Sequence, residues 1–314
     1  MPRIAAALGV VLVLTAAAGA AAQSWDTQAL VREASTMKAE DLAPLQHRAE
    51  AGDARAQVLM GLATEMGAAG LTPNSLQALA WFSSAADQGV AWAEAWTGDF
   101  YYTGSNGVPK DLYKAMERYR SAAEHGDSRA AIAVGRMYFF GDGVSANLSE
   151  AGKWFQRGAA QQGELARRMA TLASAPCAGD LCVSLRQLIG AVMTKSDEYA
   201  AEWDETTSEW VAVRTLPRFE RCGFTSSDRS ETGDIQNYFC DTDLISDAEI
   251  GSRLARTVAD EVAATLPPGW SPGAEFPGAR DSYLFSNDGF PRIRVTYNST
   301  PGMAPQRVTL LIGM

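Results

Sequence analysis

The residues able to do chemistry in this chain are few and scattered. Ser35-Thr36-Met37-Lys38 has the S-x-x-K spacing, in which a lysine one helical turn beyond a serine takes its proton. That chemistry also needs S-D-N and K-T-G partners, and neither occurs. The chain has only two histidines, His47 and His125, and both read as surface or turn residues rather than general bases. No H-E-x-x-H or P-loop is present. Asp241-Thr242-Asp243 could open a calcium loop, but the glycine and distal glutamate of such a loop do not follow, so it is expected to shape a turn. The expectation is therefore no catalytic residue, no metal and no cofactor.

Four cysteines, Cys177, Cys182, Cys222 and Cys240, all lie in the last part of the chain. An even number of cysteines in an exported protein reads as two disulfides, although four cysteines allow three pairings. Cys177 with Cys182 and Cys222 with Cys240 are favoured because each closes a local loop. The second loop spans about 18 residues, and closing it is worth roughly 3 kcal/mol through chain entropy. Zinc is the competing use of these thiols, but the spacings are not C-x-x-C and no histidine is near.

Composition narrows the partners. The formal net charge is −10, and no basic run stands apart in the sequence, which argues against nucleic acid and anionic lipid and suits basic protein partners. Residues 1–22 have a basic start, an apolar run from Ile4 to Leu14 and a small-residue end with an A-x-A site at Ala20 and Ala22. They read as a secretory signal cleaved after Ala22. The expected location is periplasmic or secreted, with no integral membrane segment after cleavage.

The elements that would position any site come from a repeat. Gly52, Gly89 and Gly126 stand 37 residues apart, each followed four residues later by alanine (Ala56, Ala93, Ala130) and nine later by glycine (Gly61, Gly98, Gly135). A period of this length means stacked helical hairpins, each burying its apolar face on the next. First helices are expected at 53–66, 90–103 and 127–140, and second helices at 75–87, 111–124 and 148–161. The second helices carry Trp81-Phe82, Arg118-Tyr119 and Trp154-Phe155 in register with small pairs one turn on.

Tyr138-Phe139-Phe140-Gly141-Asp142-Gly143-Val144, Glu150-Ala151 and Trp154-Phe155, with Tyr101 to Asp111, Lys114-Ala115 and Tyr119 to Gly126 repeating the scheme, resemble the Sel-one-like repeat, a relative of the tetratricopeptide repeat. The resemblance covers roughly residues 45–170. It departs at Thr64, where the other units have tyrosine, and in a last unit one residue short, which puts Gln162 where glycine recurs. The resemblance implies an α/α solenoid, a tetratricopeptide-like superhelix that acts as an adaptor. Exported bacterial members are similar to scaffolds of envelope complexes or regulators of membrane sensors. A disulfide-rich branch is associated with β-lactam binding and hydrolysis, but its hallmark is a cysteine pair in every repeat, and this array has none.

Comparing the units suggests where a partner sits. Trp92 takes the place of Arg55 and Arg129, so that position is expected to face solvent. Trp96 and Phe100 follow at i+4 and i+8 on the same helix face, making Trp92, Trp96 and Phe100 a candidate protein-binding stripe. The competing reading places Trp96 and Phe100 in the core.

The repeat pattern stops near residue 176. A helix at 183–202, strands at 208–215, 219–225 and 235–241, a helix capped by Ser246-Asp247-Ala248-Glu249, and strands at 281–286, 291–297 and around 308–312 predict an α+β domain with an antiparallel sheet backed by two helices. The expected organisation is a signal peptide at 1–22, a helical repeat domain at 23–175 with units near 52–88, 89–125 and 126–162, and a disulfide-containing domain at 176–314. The expected function is that of an exported scaffold for a protein or peptide partner. A cell-wall or β-lactam hydrolase is one alternative. In the other, the C-terminal domain carries the function and the repeats localise it.

Overall fold

Glycine and helix-capping residues fix the helix ends along most of the chain. The computed structural model describes residues 26–104, 107–177, 179–194, 200–204, 209–212, 216–217, 219, 221–226, 235–242, 248–273, 282–297 and 307–313. The signal segment and the capping residues Ser246 and Asp247 lie outside these residues. The chain divides into two compact units, one ending at Glu94 and the other beginning at Ala95.

The first unit holds α1 (Thr27–Ser35), α2 (Ala39–Glu50), α3 (Ala54–Met66), a short 3-10 turn at Ala68–Gly70, α4 (Ser75–Ala86) and the start of α5 (Ala91–Thr103). The Asp53 side chain accepts the Ala56 N–H at 2.9 Å and caps α3, while Asn74 caps α4 through the Gln77 N–H at 3.0 Å. The Ala56 amide first, and then the Arg48 guanidinium beside the carboxylate, lower the Asp53 pKa. One period after Asp53 stands Val90, whose carbonyl accepts the Glu94 N–H at 3.0 Å and so opens α5 with no capping side chain. Val90→Asp is therefore expected to stabilise the protein by about 1 kcal/mol in chemical denaturation.

The second unit continues α5 and adds α6 (Leu112–Glu124), α7 (Ser128–Phe140), α8 (Leu148–Ser174) and α9 (Asp180–Thr194). The six repeat helices fall where the glycine period places them. The repeat glycine of each first helix lies under the ring of its own second helix. A Cβ on Gly61 would stand 2.8 Å from Phe82, on Gly98 2.7 Å from Tyr119, and on Gly135 2.7 Å from Phe155.

Position 162 is not where the glycine recurs. Glycine recurs on the period at Gly163, which takes a left-handed φ of 79° like Gly52, Gly89 and Gly126. Here α8 turns back on itself. Gln156 Nε2 donates to Ser174 Oγ at 3.3 Å, and Gly152 lies against Ser174, so the stretch after Gly163 packs on the stretch before it. Residues 164–174 thus act as the first helix of a fourth hairpin, with α9 as its second. From Gly126 to Gly163 the third unit keeps the full 37-residue period: its loop before Asn147 is one residue shorter, since Asp111 and Asn147 are 36 residues apart where Asn74 and Asp111 are 37 apart, and its stretch from Asn147 to Gly163 is one longer than that from Asp111 to Gly126.

Beyond α9 run β1 (Ala200–Asp204), β2 (Glu209–Ala212), β3 (Arg221–Ser226), β4 (Ile235–Asp241), α10 (Ala248–Thr265), β5 (Ser271–Gly273), β6 (Ser282–Ser286), β7 (Arg292–Tyr297) and β8 (Val308–Gly313). They form one antiparallel sheet of eight strands in the order β1-β2-β3-β4-β8-β7-β6-β5. The expected sheet was two strands smaller, because β1 falls where a helix to residue 202 was read and β5 has only three residues. Helix α9 packs on β4 and β8, and α10 on β6, β7 and β8. On the covered face Ile293, Val295 and Tyr297 pair with Ile312, Leu310 and Val308, and all six are buried.

Both expected disulfides form. Cys177–Cys182 closes the turn between α8 and α9, and Cys222–Cys240 joins directly opposed residues of β3 and β4. One apolar cluster runs without a break from Phe139 and Phe155 of the third repeat, through Leu172 and Leu188, to Leu310 of the sheet. Gln187 Nε2 adds a 2.7 Å bond to the Phe139 carbonyl across that core. Residues 176–314 expressed alone lack one wall of this cluster, and circular dichroism on heating is expected to show no cooperative transition.

Candidate partner-binding surface

The aromatic stripe is laid out by α5, whose 3.6-residue turn brings Trp92, Trp96 and Phe100 to one face. Trp92 is not at the solvent as expected: it is 7% exposed and meets Phe82 edge-on, with ring centroids 5.9 Å apart. Arg55 and Arg129 at the equivalent positions are exposed. A long arginine carries its charge out to water, whereas a flat indole gains by lying on the neighbouring ring. Phe100 is likewise buried, and Trp96 is half-buried with its ring 6.4 Å from that of Phe100. Of the three, Trp96 alone offers surface.

The other residues singled out for chemistry are not brought together. Ser35 ends α1, and its hydroxyl donates to the Arg32 carbonyl at 2.9 Å. Lys38 opens the next helix, with its ammonium 3.5 Å from Glu40, so it does not stand one turn along a helix from the serine. His47 and His125 are exposed. Asp241 accepts the Thr309 hydroxyl at 2.6 Å, and the Thr242 hydroxyl accepts the Val308 N–H at 3.1 Å, so this pair fastens the end of β4 to β8. Among the described residues no group of three His, Cys, Asp or Glu is placed to hold a metal ion, and no helix is long and apolar enough to cross a membrane.

What sequence reading missed is a cationic, aromatic surface on the second and third repeats. Residues 95–175 carry ten Lys and Arg against eight Asp and Glu, a local +2 in a chain of −10. At least five of the ten are ion-paired, so the excess is small, and what matters is where particular cations stand. The Arg120 and Arg157 guanidiniums lie over the Trp154 ring, 6.0 and 5.3 Å from its centroid. Lys114 stands 5.2 Å over Tyr101, and Lys110 5.6 Å over Tyr102. Arg157 is held further by a 2.6 Å bond from Nη2 to the Ala123 carbonyl. The available signal was that Arg120 and Arg157 stand one repeat period apart, as neighbours on adjacent second helices do.

A groove of about 620 Å³ opens further along, where Gln156, Ala159, Ala170 and Ser174 of α8 face Pro267 and Pro268 after α10. Most of its lining is short side chains, and Arg167 is the one ionisable residue among them.

The second repeat also holds a part-buried polar pair. The Tyr119 hydroxyl donates to Asp99 Oδ1 at 2.6 Å. Burial pushes the Asp99 carboxyl above its usual range, against the opposing effect of that hydrogen bond. The Tyr119 phenol is also raised, by burial first and then by the Asp99 charge. Because the folded pKa of Asp99 lies above the unfolded value of about 3.9, its contribution to stability is fully present below that value and is lost as pH rises through the folded one. Asn at 99 still accepts from Tyr119 and does not ionise. Asp99→Asn is therefore expected to gain on the natural protein between pH 3.5 and pH 7 when urea midpoints are compared.

A model of the Sel1 repeat family matches residues 54–90, 93–127 and 128–163. Among solved structures, the chain is similar to a Sel1 repeat protein from Oxalobacter formigenes, at 32% identity over 40% of this chain and 51% of that one, with a TM-score of 0.37. It is also similar to c5321, a protective antigen of uropathogenic Escherichia coli displaying an SLR fold, at 34% identity over 44% of this chain and 28% of that one, with a TM-score of 0.39. A third similar structure is Helicobacter pylori cysteine rich protein B, at 22% identity over 43% of this chain and 98% of that one, with a TM-score of 0.34. The chain thus spans about half the length of the first of these and less than a third of the second. No curated protein matches it.

Proposed function

We propose, with three Sel1 repeats as the premise, that this protein is an exported scaffold that binds another protein of the cell envelope non-covalently. The repeat array is the observation that carries the reading, since stacked hairpins present a long surface built from interchangeable units. In this reading residues 1–22 are removed as a secretory signal and the mature chain is periplasmic or secreted. Two disulfides without a free cysteine among the described residues fit an oxidising compartment.

The 23–175 region supplies the partner surface and 176–314 a second one, fixed to the third repeat by the shared core rather than trailing from it. On the first surface Trp96 is the contact, with the Phe100 ring beside it, and Trp92 is buried against Phe82. The test is crosslinking in the native host followed by mass spectrometry. The scaffold reading expects one or a few envelope proteins captured, with capture reduced several-fold in Trp96→Ala. Capture of no envelope protein sinks the reading. Undiminished capture by a folded Trp96→Ala variant removes Trp96 from the surface.

A further inference from the structure

Arg120 and Arg157 are exposed, stacked on one indole, and without a carboxylate partner among the described residues. Most other cations of this region are engaged: Lys114 with Asp111, Arg129 with Asp127, Lys153 with Glu150, and Arg167 and Arg168 with Glu164. A guanidinium stacked on an aromatic face keeps its N–H edge available and loses rotamer freedom before any ligand arrives, which suits it to a carboxylate approaching edge-on. Arg157 gives only one Nη2 donor to the Ala123 carbonyl and neither guanidinium charge meets a carboxylate among the described residues, so both can take a ligand of opposite sign.

We infer that the Arg120–Trp154–Arg157 cluster is a docking site for an acidic peptide segment of a partner protein. This rests on the scaffold reading and names the chemistry of its partner. Each arginine takes a carboxylate of the segment, while the half-buried Trp154 ring lies between the two contacts as an apolar floor. A nucleic acid is a poorer occupant, because its continuous run of phosphates extends past the two arginines onto the acidic remainder, whereas a short peptide need bring only the carboxylates that the arginines take. The site is on the second helices, separate from the α5 stripe, so one partner could engage both or two partners could engage one each.

The test uses the purified full chain and a fluorescein-labelled peptide of alternating Glu and Ser, with its Gln/Ser counterpart and a labelled oligo-dT as comparisons, read by fluorescence anisotropy. Saturable binding of the Glu peptide is expected, with at least tenfold weaker binding by Arg120→Gln/Arg157→Gln, a steep fall with added salt, and Lys153→Gln within about twofold of the natural protein. The double variant loses only the Arg157–Ala123 bond and the two ring contacts, so it should stay folded with a slightly lower melting temperature, and circular dichroism checks this. No binding of the Glu peptide, equal binding of the Gln peptide, tighter binding of oligo-dT, or a folded double variant that binds unchanged would each overturn the inference. Failure of the scaffold reading itself is distinct: it shows as absence of any captured envelope protein in the cell, whatever the peptide does.

Discussion

Arg186→Met is expected to lower stability by about 3–5 kcal/mol, seen as a melting temperature roughly 10 °C below that of the natural protein. Arg186 is fully buried in α9 and faces no carboxylate; its guanidinium instead donates to three backbone carbonyls. Nη1 reaches Ala175 O at 2.7 Å, Nη2 reaches Pro176 O at 2.8 Å and Thr265 O at 3.0 Å, and Nε reaches Thr265 O at 3.2 Å. These carbonyls follow the C-terminus of α8 and close α10, where the helix dipole concentrates negative charge. Burial lowers the Arg186 pKa, but an arginine keeps its proton under such conditions. Methionine fills much of the volume and leaves the carbonyls dry and unpaired. Arg186→Lys should recover little, since one ammonium cannot reproduce the fork that joins two helix ends.

Gly135→Leu is the second large effect, at about 3 kcal/mol by overpacking. The Phe155 ring beneath Gly135 is fully buried and held edge-on by Phe139 at a centroid distance of 5.9 Å, so it has nowhere to move. Gly135→Ala recovers about 1 kcal/mol of helix propensity and should fall between the two. Gly70→Ala is the control: its Cβ would meet nothing within 4 Å, and only the left-handed φ of 82° costs, by about 1 kcal/mol. Urea unfolding of the three variants separates crowding from backbone strain.

These two residues also show what the sequence could and could not tell. Gly135 is visible in it, because a periodic glycine beside a periodic ring means close approach wherever the period is intact. The same logic located the six repeat helices, and local loop closure located both disulfides. Arg186 is invisible, since its partners lie 10, 11 and 79 residues away and are backbone atoms. The pairing of β4 with β8 is hidden for the same reason, as it joins strands on either side of α10. Trp92 misled because comparing units reports which side chains a position tolerates, whereas burial depends on which side chain is present. The cationic surface escaped because net charge averages over the chain, while Arg120, Trp154 and Arg157 meet only once adjacent hairpins stack.

The central claim is that the repeat array holds a protein partner, and site-specific photocrosslinking in the native host tests it most directly. A photoreactive residue at Tyr113, 80% exposed on α6, is compared with one at Arg292, exposed on β7 of the sheet. The account predicts a discrete envelope-protein adduct from position 113 that is lost in the Arg120→Gln/Arg157→Gln variant. No adduct from 113, with a strong one from 292, would contradict it and assign the binding role to the C-terminal sheet.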